Sequence, residues 1–132
     1  MKKILIVLTS LLSGCSLMDA YLMAKYDTNE YALINKIRTT SEVSIIDCPS
    51  RDKSINNIRE LYSLSIEWKN FTQYIPNNES ASNLSENMVK LTEQAKNIYE
   101  NGEVSEKFCK LKMQQINRAA DVAQKVIGSK PR

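Results

Sequence analysis

The sequence predicts an all-α protein, an up-and-down four-helix bundle closed by one disulfide. Three observations carry this. Only three glycines and three prolines occur in 132 residues, and no segment alternates apolar and polar residues for long, so strands have little support. Apolar residues instead recur at steps of three and four, the period of a helix with one buried face. Finally, Cys48 lies at the end of the first helical segment and Cys109 near the start of the fourth. In an up-and-down bundle these positions share one end.

The first helix is expected from about Asp19 to Ile46, with a break at Asp27-Thr28-Asn29 where Thr28 can cap a renewed start. Tyr31, Ile34 and Ile37, with Leu33 on an adjoining ridge, form its apolar face, and it ends at Asp47-Cys48-Pro49 because a residue before proline is pushed out of the α region. The second helix runs from Ser50–Lys53 to about Tyr74 and stops at Ile75-Pro76-Asn77-Asn78. It has two stripes, one of Leu61, Leu64, Trp68, Phe71 and Ile75 and one of Ile55, Ile58, Tyr62 and Ile66, with Trp68 as a core anchor. The third follows a polar connection with Ser80 or Ser82 as cap, carries Leu84, Met88, Leu91, Ala95 and Ile98, and ends at Asn101-Gly102. The fourth is capped by Ser105 and turns Phe108, Leu111, Ile116, Ala119, Ala123 and Val126 or Ile127 inward until Gly128, leaving residues 129–132 as a frayed tail.

Lys2 and Lys3 precede a short apolar run, Ile4 to Leu12, which is too short to cross a hydrocarbon core of ~30 Å as a helix and reads as a removable signal segment. Leu12-Ser13-Gly14-Cys15 resembles the bacterial lipobox, an implication being that the Cys15 thiol is acylated and the chain cut before it. Residues 1–14 would then be a signal peptide, 15–18 a lipid tether and 19–128 the bundle domain. Several acyl chains on one residue hold a protein firmly, at about 0.8 kcal/mol per buried CH2. Ser16, where an Asp would resemble an inner-membrane retention signal, points to the outer membrane with the domain facing the periplasm. Met18, Leu22 and Met23 can start a helix, dip into the lipid interface or recruit a partner.

With Cys15 taken by lipid, Cys48 and Cys109 remain in a compartment where disulfides persist, and they should pair; a reactive thiol or a metal pair is the competing reading. Two of the 18 basic residues precede Cys15, leaving 16 against 15 acidic ones, and the basic residues are scattered singly. No electrostatic case for nucleic acid follows. The absence of histidine removes the usual general base and the commonest zinc ligand. No nucleophile elbow, phosphate loop or metal motif is found, so neither catalysis, a cofactor nor a metal is expected. Glu86, Glu93 and Glu100 recur every seven positions as a solvated face, with Glu86-Lys90 a favourable pair.

A tethered bundle without catalytic groups is expected to bind another envelope protein. Tyr31, Leu33, Ile34, Lys36, Ile37 and Arg38 on a first helix ending at a cysteine, the Asn97-Ile98-Tyr99 helix end and Lys107-Phe108-Cys109 opening the last helix resemble the helical pilotins of type II secretion systems. The Gly-Trp and Thr-Pro elements associated with that family are missing, and the cysteines are spaced more widely. The resemblance implies that an amphipathic C-terminal segment of a secretin docks in a groove and that the lipid carries the complex to the outer membrane. Leu33 and Ile37 on the first helix, with Met88 and Leu91 on the third, are the candidate groove residues. The alternative is an exclusion, immunity or lysis-accessory lipoprotein of a plasmid or phage, or an inhibitor of an envelope enzyme.

Overall fold

The computed structural model describes residues 23–132. Four helices, α1 (Thr28–Val43), α2 (Arg51–Thr72), α3 (Glu79–Asn101) and α4 (Glu106–Gly128), form an up-and-down bundle, with a 3-10 turn at Ser44–Asp47 after α1. The signal segment, the lipobox with Cys15 and the expected helical start at Asp19 lie outside the described residues.

Each helix buries one row of side chains whose positions step by four and three throughout. These rows are Glu30, Ile34, Ile37 and Ser41 on α1, and Ser54, Ile58, Leu61, Ser65, Trp68 and Thr72 on α2. On α3 the row is Ala81, Ser85, Met88, Thr92, Ala95 and Tyr99, and on α4 it is Cys109, Met113, Ile116, Ala120, Ala123 and Ile127. A strict 3–4 spacing on every helix is the a/d pattern of left-handed, nearly antiparallel packing. Many of these positions hold hydroxyls that satisfy themselves within their own helix. Ser41 donates to the Arg38 carbonyl, Ser65 to Leu61, Ser85 to Ser82 and Thr92 to Met88, at 2.7–2.9 Å. Trp68, fully buried, anchors the core as expected.

Several boundaries differ from the sequence expectation. Residues 23–27 are not helical, and α1 is capped by Asp27 rather than Thr28, the Asp27 carboxylate accepting from the amides of Asn29 (2.8 Å) and Glu30 (3.0 Å). The helix α3 starts at Glu79 after Asn78, so neither Ser80 nor Ser82 is its cap. Asn78 gives its side chain to tertiary contacts instead. Ser50 and Ser105 cap α2 and α4, accepting from Lys53 and Phe108. Ile98 is 45% and Leu111 56% exposed, so these two do not point inward. In both cases a neighbour in the a/d row, Tyr99 or Met113, takes the core position.

The tail is docked rather than frayed. Lys130, 5% exposed, pairs with the fully buried Glu30 and donates to the Asn78 side-chain carbonyl. Asn78 in turn donates to Glu30 (2.8 Å) and to the Thr72 carbonyl (3.2 Å). Backbone bonds complete the clasp, from Tyr26 to the Pro131 carbonyl (2.8 Å) and from Ala24 to the Asn77 carbonyl (2.9 Å), while the Arg132 guanidinium lies 5.0 Å from the Tyr26 ring centre. Lead-in, α2–α3 loop and tail are thereby joined at one end. At the opposite end Cys48 and Cys109 form the expected disulfide, with Cα atoms 5.5 Å apart.

Candidate docking surface

The positions beside each buried row decide which helices meet and how tightly. Between α1 and α4 the flank is polar and bridged. Arg38 donates to Gln124 (2.8 Å) and pairs with Asp121 (3.2 Å), Asn117 donates to the Arg38 carbonyl (3.1 Å), and Gln124 donates to Asn35 (3.1 Å). Between α2 and α3, Arg59 pairs with Glu100 (3.3 Å) and Lys96 lies 5.3 Å from the Tyr62 ring centre. The hydrogen bond from Lys96, with the charges of Lys96 and Arg59, holds the Glu100 carboxyl below its ordinary pKa although desolvation works the other way. Glu86 and Glu93 are solvent-exposed, as expected for that row, while Glu100 is the member that joins two helices.

These bridged seams are the close ones. The remaining two are wider, and the backbones of α3 and α4 approach each other least among neighbouring helices. The α1–α2 seam is filled by large side chains, Leu64 at 5% exposure with the half-buried Leu33 and Phe71. Since α3 spends one flank on α2 and α4 spends one on α1, their other flanks confront each other. On α3 that flank carries Leu84 and Leu91, half-buried, and Ile98. On α4 it carries Phe108, Lys112, Ala119 and Val126, all half-buried, with Val122 at 52% exposure on its outer side. With the small Ala119 at the middle and the two backbones standing apart, we read the seam as an apolar trough about 21 Å long from Leu84 to Ile98. Its closed end is marked by the Tyr99–Phe108 ring pair, 6.3 Å between centres. Lys112 is the charged side chain of this lining, set 5.5 Å from the Phe108 ring centre.

The four groove residues expected from sequence are not brought together. Ile37 and Met88 are 0% and 2% exposed and belong to the a/d core, where they have no surface to offer. Leu33 and Leu91 are half-buried but on different seams, because α1 and α3 occupy diagonal corners of the bundle. Leu91 alone lies in the trough. The residues missed are Leu84, Ile98, Phe108, Ala119, Val122 and Val126. A heptad assignment of α3 and α4 would have found them as the row beside a and d, whereas counting apolar residues assigns several of them to the core.

Among the described residues no group of histidine, cysteine, aspartate and glutamate is placed to hold a metal ion, and no described helix is long and apolar enough to cross a membrane. A recess of about 250 Å³ opens at the clasped end, lined by Met23, Ala24, Asn78 and Lys130 among others. Comparison with protein families, curated proteins and solved structures finds no match. The functional reading therefore rests on residues and geometry.

Proposed function

We propose that this protein is an outer-membrane lipoprotein, acylated at Cys15, that docks an amphipathic helix of another envelope protein along the α3–α4 trough in the manner of a pilotin receiving a secretin segment. The observation that carries the reading is the trough itself. A seam lined by Leu84, Leu91, Ile98, Ala119, Val122 and Val126, with no polar bridge among the described residues like those of the α1–α4 and α2–α3 seams, offers an apolar surface to a further helix. Its length matches four turns of helix, and Lys112 beside it favours an acidic residue on the incoming segment. The lipobox-like Leu12-Ser13-Gly14-Cys15 supports membrane attachment.

The test is binding of a synthetic peptide with the C-terminal amphipathic sequence of the secretin encoded in the same genome. Leu91→Glu and Val122→Glu each weaken that binding at least tenfold, about 1.4 kcal/mol, while Ile46→Glu, at an 81%-exposed site in the 3-10 turn after α1 and outside the trough lining, leaves it unchanged. Undiminished binding by the first two variants rules out the trough, and no binding by the unsubstituted protein rules out the secretin as partner.

A further inference from the structure

The clasped end of the bundle has more organisation than capping four helices needs, and among its polar exposed residues it displays an aromatic and an apolar side chain. Tyr74 is 82% exposed and Met23 41% exposed there. Ile75 and Pro76 lie beside Tyr74 in the loop between α2 and α3, and Asn77 turns that loop back with φ of 58°, a conformation asparagine tolerates. The turn delivers the Asn77 carbonyl to the amide of Ala24, so the loop bearing Tyr74 is stitched to the segment through which the chain enters the bundle. An exposed tyrosine on a rigid loop costs little entropy to use, since few rotors remain to be ordered.

We infer that this end is a lipid-contacting foot, with Tyr74 and Met23 seated in the interfacial layer of the bilayer. The inference rests on the reading of Cys15 as the anchor and specifies how the anchored domain stands. The chain outside the described residues says what covers the face. Only seven residues separate Cys15 from Met23, and the eight Cα-to-Cα steps, fully extended, reach about 28 Å at most. Met23 is thus held near the headgroups, and a contact too weak to recruit the free protein becomes effectively intramolecular. Tyrosine suits the position, because its ring lies among glycerol and upper acyl groups while the hydroxyl stays wet.

Charge assigns the contact to apolar insertion rather than to attraction by anionic lipid. Lys25 and Arg132 at this end stand against Asp27 and Glu79, and Lys130 is neutralised by Glu30. The opposite end also exposes apolar groups, Val43 and Ile46, but it lies a helix length away, about 33 Å for the 22 residues of α2. A standing domain keeps that end off the membrane, and the trough then runs upright, open to a partner along its whole length.

The experiment uses the chain from Cys15 onward, coupled through Cys15 to a lipid maleimide in phosphatidylethanolamine–phosphatidylglycerol vesicles that contain brominated phosphatidylcholine. Tyr74→Trp and Ile46→Trp each place an indole at an exposed site, and Trp68, buried in both, gives a common background. The expected result is a blue shift and bromine quenching for the Tyr74→Trp protein, unchanged by raised salt, with no quenching for Ile46→Trp. Absence of quenching at position 74, or equal quenching at both positions as for a domain lying on its side, overturns the foot. Because the lipid is attached chemically, that failure is distinct from failure of the anchor reading, which the mass of Cys15 in protein from native envelopes decides.

Discussion

At the scale of single residues, the most demanding group among the described residues is Lys130, just past α4 and 5% exposed. A buried ammonium is tolerated only with its charge paired and its protons placed, and Glu30 with Asn78 supplies both. The pair is weak evidence of net stability, since desolvation offsets much of the attraction, yet each partner is indispensable to the other. Lys130→Met therefore leaves the Glu30 carboxylate uncompensated and is expected to destabilise by about 3–5 kcal/mol. The double variant Glu30→Leu/Lys130→Met is expected to recover most of that loss, because no charge is then stranded. Urea unfolding of the two proteins measures both, and a single variant no less stable than the double would show that the pair is not coupled. Nothing in the amino-acid pattern announces this cluster. Glu30 reads as an acidic residue in a first helical turn and Lys130 as tail, and only the meeting of three chain segments makes them a unit.

At the scale of elements, helix number and order were legible in the sequence, and so were the start near Ser50, the Ser105 cap and the ends at Pro49 and Gly102, because each follows from local chemistry; the Thr28 and Ser80 or Ser82 caps were not, since Asp27 and Asn78 take those places. The buried face of α3 was legible only in part. Met88 and Ala95 lie in it as expected, while the large aliphatics Leu84, Leu91 and Ile98 flank a core row completed by Ala81, Ser85, Thr92 and Tyr99. The reason is that a hydroxyl bonded to a carbonyl three or four residues back is nearly apolar toward a neighbouring helix, so Ser85 and Thr92 pack as small residues and allow close approach to α2. The groove was misplaced for the same cause, since a/d membership removes Met88 and Ile37 from the surface and diagonal placement separates Leu33 from Leu91. The assignment is checked by size rather than polarity. Ala95→Leu forces extra volume into a site at 0% exposure and is expected to cost about 1–3 kcal/mol. Thr92→Val keeps the shape, loses only a back-bond and is expected to stay within about 1 kcal/mol. Thermal unfolding that ranks the two in the reverse order contradicts the row.

At the scale of the whole molecule, the bundle is fastened at both ends by different means, an ionic clasp where the chain enters and a covalent bridge where α1 and α4 meet. The clasp joins the two close pairs, since Asn78 before α3 bonds to Glu30 of α1 and to Lys130 after α4, whereas the bridge lies within the α1–α4 pair. The Cys48–Cys109 bridge closes a loop of 61 residues, which in the chain-entropy description restricts the unfolded state by about 4 kcal/mol. Both sulfurs lie in the core, at 5% and 1% exposure, so Cys48→Ala/Cys109→Ala removes some packing as well as the link. The expected consequence is directional. Amide hydrogen exchange should accelerate first in the 3-10 turn Ser44–Asp47 and the first turns of α4, where the bridge alone ties α1 to α4, and should remain slow around Glu30, Asn78 and the end of α4, where the clasp persists. Because Cys109 follows Phe108 at the head of α4, this loosening reaches the Ile98–Phe108 end of the α3–α4 trough, so partner affinity should fall in the cysteine-free protein while Tyr74 at the clasped end is unaffected. Uniform acceleration along all four helices would instead mean that the two ends act as one cooperative unit, with the bridge contributing only to global stability.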